Sequence, residues 1–306
     1  MGLSLSTAWN AFRYNDGEGI VQEIRGLGFE EIELSFNLTK KIVADIARLV
    51  KKKQIRVHSL HNFCPIPDGI ERREALPDCY SLSSSDEEIR ALAVKYTKVS
   101  IDTARRLNAQ AVVLHCGRVE IIDHTRELIS LYTQGGFSVP DFQSLKIRMR
   151  KERIEKAEAH FSNALSSLEQ LADYAKGRDI ALGIENRFYF REIPSFRETG
   201  RILEHFRGAP IFYWHDTGHA QLWENLAFIK HKDYLDKYAP YLIGVHLHDI
   251  KGTQDHLAPL KGDFDFNALK PYLRNETIKT LEAHYPATAE EITCAKDYLE
   301  KLYGPN

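Results

Sequence analysis

The chain has 306 residues, of which 43% are hydrophobic and 27% charged, and its formal net charge is -2. These values are typical of a globular protein and exclude a disordered or low-complexity chain. The balanced charge excludes a general basic field for nucleic acid or an anionic membrane surface, although it leaves room for a local basic groove.

The first ten residues, MGLSLSTAWN, contain neither a basic leader nor an apolar core of the signal-peptide type. No run approaches the roughly 20 apolar residues of a membrane span, so we expect a cytoplasmic protein that does not enter membranes. The four cysteines, Cys64, Cys79, Cys116 and Cys294, form no CxxC pair and no zinc-finger spacing. We expect them to be reduced thiols.

Eight short β-rich segments alternate with helix-length amphipathic segments along the chain. The β-rich segments are residues 3–7, 31–36, 55–60, 111–116, 180–186, 211–217, 242–249 and 277–284. This alternation predicts an α/β protein and is compatible with an open doubly wound sheet or a closed barrel. The count of eight favours a (β/α)8 TIM barrel, with residues 1–306 as a single domain.

Two helices have clear sequence patterns. Apolar residues at spacings of three and four predict a helix over residues 86–107, with Ser85 and Glu88 as a capping box at its start. A second apolar series, from Ile154 to Ala175, predicts the buried face of a long helix before the fifth strand.

Two connections are unusually long, residues 61–84 after the third strand and residues 117–148 after the fourth. Both follow the carboxyl ends of strands, which is the face of a barrel that carries function. We therefore interpret them as long βα loops that act as substrate lids, the alternative being passive surface insertions.

Histidine or acidic residues stand at the ends of six consecutive predicted strands, the third to the eighth. They are His58, His115, Glu185, Asp216, His246, His248 and Glu282. Burying so many imidazoles and carboxylates together is costly unless a cation compensates them, and this mixed set suits Mn, Co, Mg or Zn. The pattern thus predicts a divalent-metal site at the carboxyl ends of the strands.

Local alternatives exist for several of these residues. Asp216 could close an Asx turn before Gly218, and Glu185 could form a rim salt bridge with Arg187 or Arg191. His215 is out of phase with Asp216, so its side chain is expected to point away from the barrel lumen. His248 and His284 lie two residues beyond His246 and Glu282, which suits substrate contact, support of a ligand or loop anchoring.

Several motifs resemble those of one family. They are GLGF at 26–29 leading into IEL at 32–34, IEN at 184–186, DTGH at 216–219 and VHLHD at 245–249, and they occur in the family's order and spacing. The chain therefore resembles the xylose-isomerase-like TIM barrels, which include sugar isomerases and sugar phosphate isomerases, ketose 3-epimerases and endonuclease IV-type abasic-site nucleases.

The resemblance to the epimerases implies one divalent ion between Glu185, Asp216, His246 and Glu282. It implies a small sugar substrate whose proton is moved by Glu185 and Glu282 through a metal-stabilised enediolate. His219 would contact a substrate oxygen. Further candidates for substrate contact are His58, His115 and His248.

The resemblance to the nucleases implies a different reaction. In those members a trinuclear zinc cluster cleaves a phosphodiester, and the additional ligands here would be His58, His115, His219, Asp255 and His256. The net charge, the lack of clustered basic loops and an Asp-His pair in place of Asp-x-His argue against this alternative.

A third alternative is a barrel that binds a metal or sugar without catalysis, since fold resemblance does not establish activity. The presence of both Glu185 and Glu282 argues against it. Aromatic residues expected on the surface, such as Tyr132, Phe137 and Tyr285, are compatible with a homo-oligomer.

Overall fold

The strands alternate with helices along the whole of residues 2–304, the part of the chain that the computed structural model describes. The strands are β1 (Leu3–Ser6), β2 (Glu31–Leu34), β3 (Arg56–His61), β4 (Ala111–Leu114), β5 (Ala181–Glu185), β6 (Ile211–Asp216), β7 (Leu242–Leu247), β8 (Asp249–Lys251), β9 (Gln254–Leu257) and β10 (Ile278–Leu281). The helices are α1 (Gly17–Gly26), α2 (Lys40–Lys51), α3 (Glu87–Leu107), α4 (Thr125–Gly135), α5 (Pro140–Lys176), α6 (Phe196–His205), α7 (Thr217–Asn225), α8 (His231–Tyr238) and α9 (Ala289–Tyr303).

Eight of the strands described in residues 2–304 are parallel and close into a barrel, in the order β1, β10, β7, β6, β5, β4, β3, β2. The predicted single-domain (β/α)8 barrel is therefore confirmed. Strands β8 and β9 form a separate antiparallel hairpin after β7. The barrel strands are buried on both faces except for a few residues near their amino ends, so their polar side chains are buried as well.

Trp214 fills the barrel below the predicted site. Its ring packs with Ala111, Val113 and Ile278, and a β-carbon at Gly244 would lie 2.2 Å from it. Only glycine leaves room for the indole at that position of β7. The same ring contacts the imidazole of His246 edge to face, with centroids 5.1 Å apart, so the packed barrel floor supports a residue of the site.

The predicted capping box of α3 is wrong. Asp86 is the N-cap and accepts hydrogen bonds from the backbone N–H groups of Glu88 and Ile89, while the Ser85 hydroxyl donates to Glu120. A carboxylate at the N-cap satisfies the free N–H groups and also interacts favourably with the helix dipole, which gives Asp86 the advantage over Ser85.

The connection after β4 is only partly a loop. Residues 125–135 form α4, and α5 begins at Pro140, so the segment 117–148 is largely helical. Leu128 of α4 packs with Phe142 and Met149 of α5 and with Trp223 of α7 in a small apolar cluster. Helix α5 is longer than predicted, and Ile154 near its middle is 78% exposed, so Ile154 does not belong to the buried face predicted for this helix.

The connection after β3 keeps its loop character. Its one helical turn, Arg72–Glu74, is held against neighbouring loops because Arg72 donates to the carbonyl groups of Asn37 (2.9 Å) and Tyr14 (2.7 Å).

Tyr132 is half-buried against Phe137, so it is less exposed than expected.

The four cysteines are free thiols, of which Cys64 and Cys116 are buried. Burial raises the pKa of Cys116 to about 12. No helix within the described residues is both long enough and apolar enough to cross a membrane.

Candidate functional site

His246, near the carboxyl end of β7, is surrounded by three carboxylates that come from other strands. Its Nδ1 atom lies 2.7 Å from Glu185 Oε1, 2.8 Å from Glu282 Oε2 and 3.8 Å from Asp216 Oδ2. All four side chains are buried, and each offers one ligand atom within 4.8 Å of the others. The structure thus brings together the four residues predicted as metal ligands.

Glu33 of β2 holds the opposite side of the His246 ring. Its carboxylate oxygens lie 3.2 and 3.1 Å from Nε2 of His246, and the Ser59 hydroxyl donates to Glu33 at 2.7 Å. An Nε2–H directed at Glu33 leaves a lone pair on Nδ1, which is how a metal-binding imidazole is commonly oriented. That lone pair points at three carboxylates, so a positive charge here, either a proton on Nδ1 or a bound cation, would offset their repulsion.

The electrostatics of the cluster also favour a positive charge at this position. Burial opposes protonation of His246, but Glu282 and Glu33 outweigh it and hold the pKa of His246 well above its usual value. Burial likewise opposes ionisation of Glu282, but His246 prevails and lowers the pKa of Glu282 to about 2. One proton cannot bond three carboxylates at once, whereas a divalent ion binds several such groups. The donor set of three carboxylates and one imidazole fits Mn, Co, Mg or Zn.

Asp216 joins the site to α7. It ends β6 and serves as the N-cap of α7, where its Oδ1 accepts from the His219 backbone N–H at 2.8 Å. Asp216 therefore has a local role too, but as a helix N-cap bonded to His219 rather than as the Asx turn predicted before Gly218. His248 Nε2 donates to Oδ1 at 2.9 Å, and a β-carbon at Gly218 would meet the His248 ring at 2.1 Å. Glycine is required there for this close approach.

The His219 ring is held at its Nδ1 edge, and its Nε2 atom lies 4.0 Å from Asp255 Oδ2. Its Nδ1–H donates to the carbonyl oxygen of Asn186 at 3.0 Å, so Nε2 carries the lone pair in the neutral ring. Burial lowers the pKa of His219, which favours that neutral form. A neutral Nε2 can accept a hydrogen bond from a hydroxyl group or bind a cation.

A second group of ligand-type side chains lies beside Glu185. His115 Nε2 is 3.0 Å and His61 Nε2 is 3.8 Å from Glu185 Oε2, and these three residues could also hold an ion. The guanidinium of Arg187 contacts the same oxygen, so the predicted alternative pairing of Glu185 is present too. Arg187 is itself buried and also contacts Glu192 at 3.3 Å.

His58 lies elsewhere, contrary to its predicted place at the rim. Strand β3 continues to His61, and Val57 and Ser59 pair with successive residues of β2, which makes His58 a bulge residue. Its Nε2 contacts Glu31 at 3.0 Å, at the start of β2 and the opposite end of the barrel. His58 therefore lies away from the cluster around His246, and His61 occupies the position that was predicted for it.

A third group surrounds Asp216 on the side of the β8–β9 hairpin. It consists of Asp216, His219, His248 and His256. The His256 ring stacks on His248 with centroids 4.1 Å apart, and Asp255 Oδ2 contacts His256 Nδ1 at 2.9 Å. Burial opposes protonation of His256, but Asp255 raises its pKa to about 9. Asp255 and His256 are thus adjacent to the site, paired with each other.

Sequence reasoning missed Glu33 and His61 as members of the site. Glu33 lies within the IEL motif, but a single glutamate in a short strand carries no sign of its partner more than 200 residues away. His61 was assigned to a loop because the bulge at His58 shifts the end of β3. The outward direction of His215 is confirmed, since its ring bonds Tyr213 and His231 of α8.

The closed barrel and the buried carboxylate–imidazole cluster at its carboxyl end define a TIM barrel of the kind that carries an active site there. The sequence profile of the xylose isomerase-like TIM barrels matches residues 21–301. The chain therefore belongs to the xylose isomerase-like TIM-barrel family.

Several solved structures are similar to this chain over nearly their full length. A D-tagatose 3-epimerase-like protein has 18% identity and a TM-score of 0.68, covering 99% of this chain and 97% of that one. The 3-keto-D-glucoside 4-epimerase of E. coli has 14% identity and a TM-score of 0.69, covering 98% and 99%. The D-allulose 3-epimerase of Methylomonas sp. has 16% identity and a TM-score of 0.68, covering 99% and 97%. No curated protein matches the sequence significantly. At these identities, the similarity demonstrates a shared fold.

Proposed function

We propose that this protein is a divalent-metal-dependent isomerase or epimerase of a sugar. The observation that carries the proposal is the convergence of Glu185, Asp216 and Glu282 on Nδ1 of His246, whose other nitrogen is held by Glu33. The sugar epimerases among the structures of similar fold are a further reason to test ketoses and keto sugars first.

A divalent ion held by Glu185, Asp216, His246 and Glu282 would polarise a carbonyl or hydroxyl oxygen of the sugar. Glu185 and Glu282 belong to different strands, and both have pKa values held low by neighbouring cationic or protonatable groups. An ionised carboxylate takes the proton from the carbon beside the carbonyl, and the C–H electron pair forms an enediolate. Delivery of a proton to the former carbonyl carbon, with loss of the proton from the neighbouring hydroxyl, gives the isomer, whereas delivery by the other carboxyl group to the opposite face of the original carbon gives the epimer.

Arg187 and His219 have supporting roles in this proposal. The guanidinium of Arg187 contacts Glu185 Oε2 and favours the ionised carboxylate. The lone pair on His219 Nε2 accepts a hydrogen bond from a substrate hydroxyl and orients the sugar. His115 orients the carboxylate of Glu185 through a contact of 3.0 Å. His248 orients the carboxylate of Asp216 through a contact of 2.9 Å.

Solvent-deuterium incorporation tests the proposed reaction directly. The metal-supplemented protein is incubated in D2O with a panel of ketoses, their phosphates and 3-keto glycosides, and carbon-bound deuterium is measured by NMR. We expect incorporation at one carbon next to the carbonyl of at least one sugar. Absence of exchange with every sugar, in protein shown to contain its ion, would contradict the proposal.

We also propose that residues 117–148 close over the bound sugar. The Arg126 guanidinium of α4 lies 5.5 Å from the ring centroid of Phe188, and that ring contacts His219 with centroids 5.8 Å apart. A sugar held at His219 is thus linked to α4 through one aromatic side chain. We expect limited proteolysis within 117–148 to slow when substrate is added, while cleavage elsewhere is unchanged. Equal cleavage rates with and without substrate would make the segment a passive insertion.

A zinc-dependent phosphodiesterase is the second candidate function. It is favoured by two further groups of buried ligand-type side chains, one containing His61 and His115 and the other containing His219, His248 and His256. Arg187 argues against it, because its guanidinium contacts the Glu185 oxygen that an ion at His61 and His115 would need. A cation there would face a positive charge at short range in a buried site, so one ion per chain is the better proposal.

A further inference from the structure

The outer face of β6 carries polar side chains where its neighbours carry apolar ones. Residues along a strand alternate in direction, so Tyr213 and His215 face the helices while Trp214 and Asp216 face the lumen. In the neighbouring strands, Ile184 pairs with Tyr213 and Val245 pairs with His215. Tyr213 and His215 are completely buried. Burying a phenol and an imidazole in this layer is favourable only if both are hydrogen-bonded.

Both are joined into one continuous hydrogen-bonded series. The Tyr213 hydroxyl donates to Asn186 Oδ1 at 3.0 Å and lies 2.7 Å from His215 Nδ1. His215 Nε2 lies 2.8 Å from His231 Nε2, so one of these two nitrogens donates to the other. His215 Nδ1–H therefore donates to the Tyr213 hydroxyl and His231 Nε2–H donates to His215 Nε2, which leaves His231 Nδ1 as an acceptor 3.1 Å from the side-chain amide of Gln221.

Asn186 connects this series to two residues of the site. Its side chain accepts from the Asp216 backbone N–H at 2.8 Å and donates to the Asp216 carbonyl at 2.9 Å. Its own carbonyl accepts the Nδ1–H of His219 at 3.0 Å. Asn186 therefore fixes the backbone from which the Asp216 carboxylate projects, and it also selects the tautomer of His219.

The other end of the series reaches a cavity on the outside of the barrel. The cavity has a volume of about 590 Å³, and His231, Gln221 and Phe264 are among its lining residues. The His231 ring stacks on Phe264 with centroids 4.8 Å apart, and its backbone N–H donates to Glu224 at 2.6 Å. The series thus crosses the barrel wall from the candidate metal centre to an opening between α7, α8 and the loop after β9.

We propose that Tyr213, His215 and His231 are positioning residues that hold Asp216 and His219 in their working orientation from outside the barrel, through Asn186. They touch neither substrate nor ion. This inference rests on the proposed function in one respect, which is that Asp216 and His219 belong to the site. Partners that orient a ligand in this way commonly change metal affinity 10- to 100-fold when they are removed.

Tyr213→Phe is the direct test, because it removes one hydroxyl group and leaves the ring in place. Tyr238→Phe is the matched control, since Tyr238 is also buried, packs against Tyr213 and donates instead to the Phe196 carbonyl. We measure the Kd for Co2+ by calorimetry and the visible absorption of bound Co2+, which reports ligand geometry. We expect about 10-fold weaker binding and an altered spectrum with Tyr213→Phe, and neither change with Tyr238→Phe. Unchanged Co2+ binding in Tyr213→Phe, or equal losses in both variants, would overturn the proposal.

A second measurement separates this inference from the proposed function. The 15N shifts of the His219 ring in the metal-free protein report its tautomer, and the signal is assigned with His219→Gln. We expect a smaller Nδ1–H population in Tyr213→Phe than in wild type, whether or not the protein binds Co2+; an unchanged population would overturn the inference. If wild type binds no Co2+, the metal-dependent function fails and this tautomer measurement alone decides the inference. If Tyr213→Phe does not fold, His231→Phe, which retains an aromatic ring beside Phe264, receives the same measurements and is judged by the same outcomes.

Discussion

Replacing Glu185 or Glu282 by glutamine is expected to reduce solvent-deuterium incorporation into the sugar by about 10²- to 10⁴-fold, the range of general acid–base catalysis. An amide has the size of the carboxyl group but does not take up a proton near neutral pH. Both carboxylates are buried beside His246 and are held ionised by their neighbours. The measurement is the rate of deuterium appearance at carbon by NMR, together with circular dichroism to verify folding.

Metal content must be measured on the same samples, because both glutamates are also proposed ligands. A variant that keeps its ion and loses exchange has lost proton transfer, whereas a variant that loses both has lost the centre. Glu158→Gln is the control, since exposed Glu158 pairs with Arg201 outside the cluster and outside residues 117–148. Normal exchange in Glu185→Gln or in Glu282→Gln would refute the two-glutamate mechanism.

Elemental analysis of protein purified without chelator or added metal is expected to find about one divalent ion per chain. Asp216→Ala should lose this ion, because it removes one of three carboxylates that converge on His246. His115→Ala should keep it, because His115 contacts Oε2 of Glu185, which Arg187 also contacts, whereas Oε1 of Glu185 faces His246.

His205→Ala is the matched control for these variants, since His205 is exposed on α6 and pairs with Glu169. Two or three tightly bound zinc ions, with at least one lost in His115→Ala, would contradict the single-ion proposal. That result would favour phosphodiester cleavage, and abasic-site DNA would then be the first substrate to test.

The ends of the strands show how far local sequence determines the site. Glu185, Asp216 and Glu282 were predicted as one cluster because each follows an apolar strand, and the carboxyl ends of parallel barrel strands meet on one face. The structure places them around His246 as expected. The same reasoning placed His58 wrongly. His58 follows the apolar residue Val57 and was therefore predicted to end β3, but the bulge shifts the register and β3 ends at His61.

The sequence by itself determined the barrel and most of the candidate ligands, because hydrophobic periodicity and strand-end residues are local properties of the chain. Only the tertiary structure decided that Glu33 holds His246 and that Arg187 shares an oxygen of Glu185 with His115. It also decided that Tyr213 and His215 connect His231 to Asn186. These contacts join residues that are far apart in the chain. No local sequence pattern encodes them, because each depends on the register between strands and on the direction in which the closed barrel points its side chains.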